Sequence, residues 1–449
     1  MKIIVFDDDP TGSQTVHDCL LLLKWDCQTL LKGIRSPSKL LFILCNTRSL
    51  NEKEAIKRLN EICINLITVI NNEGYLLEDF IFISRGDSTL RGHNFLEPNV
   101  INKNLGPFDA TFHIPAFIEG GRFTINGSHF IEDIPVHKTI FAKDKIFGYE
   151  TNNIKELLHK KSKSKIKLEE IKTLNLSELE MLEFEENNKI FIKIRNFKNN
   201  VQVIVDAKNY LHLDKFCLLV SKLKSDKKFL FRTAASFISA FSKVGFNTKN
   251  NIYYSGLRRK DNNNNYMKGI IVVGSHVDIS TMQLLHLLKT SSCKPIEINV
   301  DKFFNFLKLK NNNSSIQDFK YQLVEQIKDI LEKEFTPVLY TSRKVIAFRE
   351  KCEEFSFNKD LAIFIAQIVK ELKHDIGYLV SKGGITSNTI LSEGFNIDSA
   401  YLEGQIMTGI SLLSVNIPEI NTCIPFITFP GNIGETNSLE KILLILENK

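Results

Sequence analysis

The 449-residue sequence lacks the features that mark membrane, secreted or zinc-binding proteins. No stretch approaches the roughly 20 apolar residues that a membrane-spanning helix needs. The first apolar run, residues 3–6, ends in aspartate, which argues against a secretory signal peptide. None of the eight cysteines forms a Cys-x-x-Cys pair or a cysteine–histidine group with zinc spacing. These absences predict a cytoplasmic protein with reduced thiols and no membrane partner.

The sequence also lacks a concentrated charge of one sign and the two familiar phosphate-binding motifs. Its 58 lysines and arginines are nearly balanced by 52 acidic residues, and the lysines are spread along the chain. We therefore predict no nucleic-acid partner. No Walker A or Gly-x-Gly-x-x-Gly pattern is present, so a nucleotide site would have to use other glycine-rich loops.

Strand-like apolar runs alternate with helical patterns, which is typical of α/β folds with mainly parallel sheets. One helix is predicted to begin at a capping box formed by Ser49 and Glu52, with an apolar stripe along residues 55–70. The alternation breaks in a polar stretch rich in asparagine. We therefore predict two α/β domains, residues 1–244 and 269–449, joined by a polar linker at 245–268, with the active-site cleft between them.

Three polar loops follow predicted strands in the first domain. They are "DDDPTGS" at 7–13, "SRGDSTLRGH" at 84–93 and "IPAFIEGGRFTINGSHFI" at 114–131. Ligands of parallel sheets bind at the carboxyl ends of strands. Arginine binds carboxylates through two parallel hydrogen bonds, and aspartate can accept the proton of an attacking hydroxyl. The loops therefore favour a small polyhydroxylated anion as the ligand.

Three loops of small residues follow predicted strands in the second domain. They are "VGSHVDIST" at 273–281, "SKGGITSNT" at 381–389 and "FPGNIGETNS" at 429–438. Glycine lets the backbone approach a phosphate group, and exposed N–H groups at the start of a helix attract it. A polar ligand on one domain and a phosphate-binding surface on the other is the arrangement of a kinase.

Several of these motifs resemble those of the four-carbon acid sugar kinases. That family's opening motif corresponds to "DDPTG" at 8–12, its Asp-Ser-Thr-x-Arg-Gly motif to 87–92, and its Gly-Arg-x-Thr motif to 121–124. "FRTAAS" at 231–236, "GGIT" at 383–386, "GQIMTG" at 404–409 and "PGNIGETNSL" at 430–439 are also similar. Many members carry lysine shortly before the Asp-Ser-Thr motif, where this chain has "SRG" at 84–86.

The resemblance implies an ATP-dependent enzyme that phosphorylates a threonate- or erythronate-like acid, with Mg²⁺ and ATP as cofactors. The first domain would bind the sugar acid and the second the nucleotide. Asp8 or Asp9 would orient or deprotonate the sugar hydroxyl, and Asp7 would be structural. The substrate-binding residues would be Thr11, Asp87, Ser88, Arg91 and Arg122, with Arg91 holding the carboxylate. The ATP-binding residues would be Ser275, Gly383, Gly384, Ile385, Thr386, Gly431 and Gly434. The metal ligands and the oligomeric state are left open, with a homo-oligomer among the alternatives.

Two other interpretations remain open. "DDDPT" also fits the Asp-x-Asp-x-Thr pattern of aspartyl phosphotransferases, with Asp7 as nucleophile, Asp9 as acid/base and Thr11 following. That class would leave the second domain without a role. The other alternative is a binding protein that keeps the fold without catalysis, and intact motifs in both domains argue against it.

Overall fold

The computed structural model describes residues 1–12, 15–182, 188–244, 249–308, 313–344, 346–348 and 350–448. The chain divides into two compact units, Met1–Phe246 and Asn247–Lys449. Within the described ranges, no helix has both the length and the apolar character needed to cross a bilayer.

The first unit is built on a wholly parallel sheet. Its strands are β1 Lys2–Asp7, β2 Cys19–Leu22, β3 Leu40–Leu44, β4 Phe80–Arg85, β5 Ala110–Ile114, β9 Lys172–Leu174, β10 Val201–Val205 and β11 Phe229–Thr233. Their order in the sheet is β2-β3-β1-β4-β11-β5-β10-β9. A smaller antiparallel sheet contains β6 Arg122–Ile125, β7 Ser128–Ile131 and β8 Ile134–Pro135.

Helices pack against the parallel sheet and bury its apolar strands. They are α1 Cys27–Arg35, α2 Glu52–Asn72, α3 Leu96–Leu105, α4 Ile154–Lys161, α5 Leu176–Glu180, α6 Lys189–Arg195, α7 Tyr210–Leu223 and α8 Ala235–Ser242. One core joins the central strands to α1, α2 and α3. A cluster of phenylalanines joins β5 and β11 to α7 and α8, with the Phe112 and Phe216 rings 4.9 Å apart. A parallel sheet covered in this way explains why its strands read as continuous apolar runs.

The beginning of α2 differs from the prediction. The apolar stripe is buried as expected, but Asn51 is the N-cap and forms the capping box with Glu54. Ser49 instead ends a short 3₁₀ turn, Thr47–Ser49, and its hydroxyl donates to the carbonyl of Asn46. The predicted capping box at Ser49 and Glu52 is therefore wrong by two residues, because a second Asx/Ser-x-x-Glu pattern lies within the same stretch.

The second unit has a mixed sheet. Its strands are β12 Ile270–Val273, β13 Cys293–Ile298, β14 Thr336–Thr341, β15 Leu379–Lys382, β16 Ser399–Met407, β17 Ile410–Ile417 and β18 Thr422–Phe429. Their order in the sheet is β13-β14-β12-β15-β18-β17-β16. The pairs β13–β14, β14–β12, β12–β15 and β15–β18 are parallel, whereas β16, β17 and β18 form an antiparallel meander. The predicted α/β class with mainly parallel sheets is confirmed, and the meander was not predicted.

The helices of the second unit follow its strands in the same alternating way. They are α9 Asn251–Gly256, α10 Asp278–Leu287, α11 Val300–Lys308, α12 Asn313–Glu332, α13 Lys351–Glu371, α14 Gly384–Thr389 and α15 Ser438–Glu447. A core joins α10 and α15 to the central strands. Helix α9 lies within the predicted linker at 245–268, of which residues 245–248 fall outside the described ranges.

Candidate active site

The acidic run that opens the chain lies at the carboxyl edge of the first unit's sheet. Asp7 ends β1, and its register partner on the adjacent strand β4 is Arg85. Strand β11 borders β4 on the other side and contributes Arg232. Because parallel strands end at the same edge, three aspartates meet arginines from two neighbouring strands.

Arg48 binds three of the carboxylates at this edge. It comes from the 3₁₀ turn after β3, where its backbone N–H donates to the carbonyl of Asp8. Its Nη2 lies 2.9 Å from Asp9 Oδ2 and 3.4 Å from Asp8 Oδ1, and its Nη1 lies 3.5 Å from Asp87 Oδ1. One guanidinium therefore offsets the repulsion among acids that would otherwise raise each other's pKa.

Asp8 is completely buried beneath this arginine layer. Its Oδ1 lies 3.2 Å from Arg85 Nη1, and its Oδ2 lies 3.9 Å from Arg232 Nη2. Arg232 also forms a buried ion pair with Glu97, at 2.5 Å. Burial raises the pKa of Asp8 above its ordinary value, although Arg48 and the other arginines oppose the shift. Asp8 therefore has no exposed surface in this structure.

Asp7 is buried as well and has fewer partners. Its Oδ1 accepts from the backbone N–H of Asp9 at 3.3 Å and lies 3.6 Å from Arg85 Nη1, while Oδ2 has no hydrogen-bond partner. Burial raises the pKa of Asp7 to about 8. The carboxyl lies directly against Gly12, where a Cβ atom would stand 1.9 Å from Oδ1. Only glycine leaves room for this carboxyl group.

We expect Gly12→Ala to destabilise the protein, because the added methyl group would overlap the Asp7 carboxyl. Overpacking of this kind costs about 1–3 kcal/mol. The measurement is the free energy of unfolding from denaturant titration. Gly256→Ala is the matched control, since its Cβ would meet only the Tyr266 hydroxyl, at 3.9 Å. A Gly12→Ala protein as stable as the wild type would show that the Asp7 carboxyl is not held where the structure places it.

Asp9 is the member of the acidic run that a ligand can reach, with 24% of its side chain exposed. Its Oδ1 accepts hydrogen bonds from the backbone N–H of Thr11, at 2.9 Å, and from the Thr11 hydroxyl. Burial by itself would raise the pKa of Asp9, but Arg48 and Thr11 outweigh it and hold the pKa below its ordinary value. Asp9 is thus an ionised, oriented carboxylate at the sheet edge.

The loop at 87–92 is held in an unusual conformation. Leu90 has a φ of +63°, which bulky side chains rarely adopt. Three successive carbonyls of the loop accept side-chain hydrogen bonds, that of Ser88 from His129, that of Thr89 from Tyr149 and that of Leu90 from Asn94. Burial lowers the pKa of His129 to about 4, so that its ring is neutral at pH 7. These contacts fix the loop that carries the predicted substrate-binding residues.

Arg91 and Arg122 approach this loop differently. Arg91 Nε donates to Asp87 Oδ2 at 2.7 Å, so part of its guanidinium is already paired with a carboxylate. Arg122, the first residue of β6, donates from Nη1 to the Ser88 hydroxyl at 2.6 Å. Among the residues that the structure describes, no carboxylate lies within 4 Å of the Arg122 guanidinium, and its buried Nε has no hydrogen-bond partner.

Aromatic rings flank both arginines. The Arg91 guanidinium lies 5.1 Å from the Phe141 ring centre, and that of Arg122 lies 5.6 Å from the same ring and 5.5 Å from Phe117. Burial lowers the pKa of Arg122 below its ordinary value. A desolvated cation with free N–H groups is suited to an anionic ligand.

The second unit contains a cavity of about 300 Å³ at the carboxyl ends of its strands. Six of the seven residues predicted to bind ATP line it: Ser275, Gly383, Gly384, Ile385, Thr386 and Gly431. Gly434 is not part of the lining. A Cβ there would lie 2.8 Å from Ser438 Oγ, and its φ is +90°, so this glycine permits a tight turn instead. The nucleotide-binding roles of all seven residues stay predictions.

The cavity is lined by both polar and apolar groups. Glycines and hydroxyl groups come from the loops after β12, β15 and β18, and the charged or amide side chains of Lys344, Glu354 and Asn358 also line it, together with His276. The apolar part of the lining consists of Val300, Ile346, Phe348, Phe357, Leu361, Ala362 and Ile365. Exposed backbone N–H groups suit phosphate, and apolar walls suit a flat ring, so the cavity matches the two halves of a nucleotide.

Two hydrogen-bonded side chains hold the loop after β12. Arg343 Nη1 donates to the carbonyl of Ser275 at 2.8 Å, and Nε donates to the carbonyl of Thr341. The Ser280 hydroxyl donates to the carbonyl of Gly431 at 2.8 Å and lies 3.0 Å from Ser275 Oγ. The loops after β12 and β18 are therefore tied together beside the glycines of β15.

The described residues contain no group of three or more histidine, cysteine or acidic side chains placed to hold a metal ion. Magnesium in phosphate-transfer sites is commonly bound by one or two carboxylates together with substrate phosphates. An ion held largely by nucleotide phosphates needs no protein group of three acidic side chains.

Several residues that build these candidate sites were not predicted from the sequence. Arg85 and Arg232 were present in the motifs compared, at 84–86 and 231–236, but were given no role. Arg48 and Glu97 belong to none of the quoted loops and His129 was given no role in its own, and their partners Asp8, Arg232 and Ser88 lie 40, 135 and 41 residues away in the chain. Only the strand order brings these groups together.

Comparison with known proteins gives matches over nearly the whole chain. Residues 3–241 match the family described as a sugar-binding N-terminal domain, and residues 270–439 match the nucleotide-binding C-terminal domain. A D-erythronate kinase of Heliobacterium modesticaldum is 26% identical over 149 residues. That alignment covers 32% of this chain and 32% of the relative, so it spans about a third of the length of either protein.

Two solved structures share the fold. A Salmonella typhimurium LT2 protein described as a putative tRNA synthase has a TM-score of 0.69 at 12% identity, covering 99% of this chain and 98% of that one. Haemophilus influenzae protein HI1011, of the DUF1537 family, has a TM-score of 0.62 at 15% identity, covering 99% and 100%. Together with the two domain matches, these findings show that the chain belongs to the four-carbon acid sugar kinase family.

Proposed function

We propose that the protein is an ATP-dependent kinase that transfers the γ-phosphate to a terminal hydroxyl of a four-carbon sugar acid. The observation that carries the proposal is a connected network at the sheet edge of the first unit. Arg48 bridges Asp9 to Asp87, and the next residue, Ser88, binds Arg122. A reachable carboxylate and a cation that has no carboxylate partner among the described residues thus belong to one connected arrangement.

The two ends of that network suit the two ends of a sugar acid. The substrate carboxylate would pair with Arg122 through the N–H groups that Ser88 does not use. Arg91 would assist through its terminal nitrogens, because its Nε is bound to Asp87. A hydroxyl at the other end of the substrate would donate to Asp9. Thr11 would fix the Asp9 carboxylate in place rather than bind the ligand, since its hydroxyl already donates to Asp9.

Asp9 is the better candidate of the two predicted catalytic aspartates. Asp8 is fully buried against three arginines, whereas Asp9 is partly exposed at the edge. The low pKa of Asp9 makes it a weak proton acceptor in the resting enzyme. Phosphoryl transfer through a loose transition state depends mainly on positioning and charge neutralisation. Asp9 would therefore orient the hydroxyl and accept its proton as the bond to phosphorus forms.

The nucleotide would occupy the cavity of the second unit. Its phosphates would lie against the loops that carry Ser275, Gly383 and Gly431, and its base would lie between the apolar walls. Mg²⁺ would be bound mainly by those phosphates and would neutralise their charge during transfer. Each ligand would then have a site within one unit.

The aspartyl phosphotransferase alternative conflicts with the surroundings of Asp7. A nucleophile must reach phosphorus, but Asp7 is only 1% exposed and lies under Gly12. Its pKa, raised to about 8 by burial, also leaves the carboxyl group protonated near neutral pH, which removes its nucleophilic character.

The proposal is tested by a ligand screen followed by a turnover assay. Thermal unfolding is recorded with threonate, erythronate and 3-oxo-tetronate isomers, each with and without Mg-ATP, and ADP release is then measured for acids that stabilise the protein. We expect one or a few four-carbon acids to stabilise it and to support ADP release. Stabilisation without turnover by any acid would support the non-catalytic alternative instead.

A further inference from the structure

The last residue of β15 is a lysine with no exposed surface. Lys382 is 0% exposed and immediately precedes Gly383 and Gly384, which line the cavity of the second unit. Lysine is almost never fully buried unless it is paired with an opposite charge. Its surroundings therefore need an explanation.

The Lys382 ammonium group is bound by carbonyls and an aromatic ring. Nζ donates to the carbonyl of Pro430 at 2.6 Å and to that of Ile433 at 3.1 Å, and it lies 3.5 Å from the centre of the Phe429 ring. Among the described residues, no carboxylate lies within 4 Å of this nitrogen. The positive charge is solvated by dipoles but is not neutralised.

These contacts also hold the loop at 430–435 from one side. Ser280 binds the carbonyl of Gly431, and Gln283 binds those of Ile433 and Glu435. In a trans peptide the N–H group points opposite to the preceding carbonyl. Because Lys382 holds the Pro430 carbonyl, the N–H of Gly431 points away from Lys382. Gly431 lines the cavity, so this donor is available to a ligand there.

None of the described groups in contact with the Lys382 ammonium supplies a negative charge, and the titratable side chains that line the neighbouring cavity are His276, Lys344 and Glu354. Ser280 and Gln283 of α10 are neutral, and β18 contributes Phe429 and backbone carbonyls. The carboxylate of Glu435 is exposed and pairs with Lys441, at 2.7 Å. Burial lowers the pKa of Lys382 to about 7. An anion in the cavity would favour the charged form of this lysine.

We propose that Lys382 is a positioning residue of the nucleotide site. It holds the 430–434 loop, and the phosphates of the bound nucleotide balance its positive charge. Nucleotide binding then takes up a proton onto Lys382 Nζ from solvent. This inference rests on the proposed function, because it requires the nucleotide in this cavity.

The direction of the pH effect follows from the protonation of Lys382 in the free and in the nucleotide-bound protein. Below pH 7 the free protein already carries the charge, so binding needs no proton. As the pH rises through the pKa that Lys382 has in the free protein, nucleotide binding must be accompanied by protonation of Lys382. The affinity for the nucleotide therefore falls. We expect the affinity for Mg-ATP to fall about tenfold between pH 6 and pH 8, as a single proton of linkage requires.

The test compares Mg-ATP affinity across this pH range in three full-length proteins, the wild type, Lys382→Met and Lys344→Met. Lys344 also lines the cavity, but it is exposed and pairs with Asp301 at 2.9 Å. Lys382→Met should bind more weakly at pH 6 and lose the pH dependence that the wild type shows. Lys344→Met should keep the slope of the wild type, whatever its affinity. Any titration of the nucleotide itself and of His276, which also lines the cavity, is common to all three.

Calorimetry of the wild type gives a measurement that needs no variant to fold. Binding of Mg-ATP at pH 8 in buffers of different ionisation enthalpy should show uptake of close to one proton. Zero uptake, or equal slopes for wild type and Lys382→Met, would overturn the inference and leave nucleotide binding intact. Absence of Mg-ATP binding at every pH would overturn the nucleotide assignment and this inference together.

Discussion

Replacing Asp9 by asparagine should lower kcat for the sugar acid by about 10²- to 10⁴-fold, the range that a positioned proton acceptor supplies. Asparagine keeps the shape and the acceptor oxygen that Thr11 uses, but it cannot take a proton from the substrate hydroxyl. Binding of Mg-ATP should be unchanged, because the nucleotide residues belong to the other unit. The measurement combines steady-state kinetics with calorimetric titration of Mg-ATP.

Asp7→Asn is the matched control for that prediction. Since burial raises the pKa of Asp7 to about 8, this group is mostly neutral at pH 7, and asparagine resembles the neutral acid in size and charge. We expect activity close to that of the wild type. Loss of all turnover in Asp7→Asn, with Asp9→Asn still active, would favour the aspartyl nucleophile over the proposed kinase mechanism.

The second large effect is expected at Arg122. Arg122→Lys should raise KM for the sugar acid by about 10- to 150-fold, since a charge-assisted hydrogen bond is worth about 1.5–3 kcal/mol and lysine cannot reproduce the planar fork. KM for ATP should remain that of the wild type. The expected rise in KM is larger for Arg122→Lys than for Arg91→Lys, because Arg122 lacks a carboxylate partner among the described residues, whereas Arg91 is bound to Asp87.

Two further variants make that comparison quantitative. Arg91→Lys should raise KM for the sugar acid by a smaller factor than Arg122→Lys. Arg195→Lys is the control, because Arg195 also lies over a phenylalanine ring, at 5.0 Å from Phe191, and near a carboxylate, but on helix α6. If Arg91→Lys had the larger effect, Arg91 would be the main carboxylate ligand, as the sequence alone suggested.

Sequence patterns predicted which loops lie side by side, because parallel strands end at one edge of the sheet. The loops at 7–13 and 84–93 follow β1 and β4, which are neighbours, so acids and arginines read from separate loops do meet. The glycine-rich loops after β12, β15 and β18 line one cavity for the same reason. Runs of buried apolar residues locate such strands reliably, and the chemistry follows from what comes after them.

The partners that hold the acidic run could not be predicted in this way. Arg48 lies 40 residues from Asp8 and Arg85 lies 77 residues away, so no local spacing relates them. Lys382 gave no sequence pattern either, because a single lysine in a strand is usually exposed. Its burial depends on the Phe429 ring and the Pro430 and Ile433 carbonyls, which come from a different strand and loop.

The antiparallel meander was missed for a different reason. Alternation of strands and helices was the basis of the prediction, and that rule fails where β16, β17 and β18 follow one another directly. The turn at 407–410 carries Gly409 with a φ of +76°, and its N–H donates to the Gln405 side chain. A Thr-Gly pair between two strand-like apolar runs is a pattern that indicates a hairpin.

In the proposed function, phosphate passes from ATP directly to a four-carbon sugar acid. The most direct test of this transfer is to incubate the protein with γ-labelled ATP, Mg²⁺ and each of a panel of tetronates, and to follow the label in the protein and in the acid. We expect label to appear in one or a few acids, to depend on Asp9, and not to accumulate on the protein. Label trapped on the protein in a form that requires Asp7, or no transfer to any acid, would contradict the account.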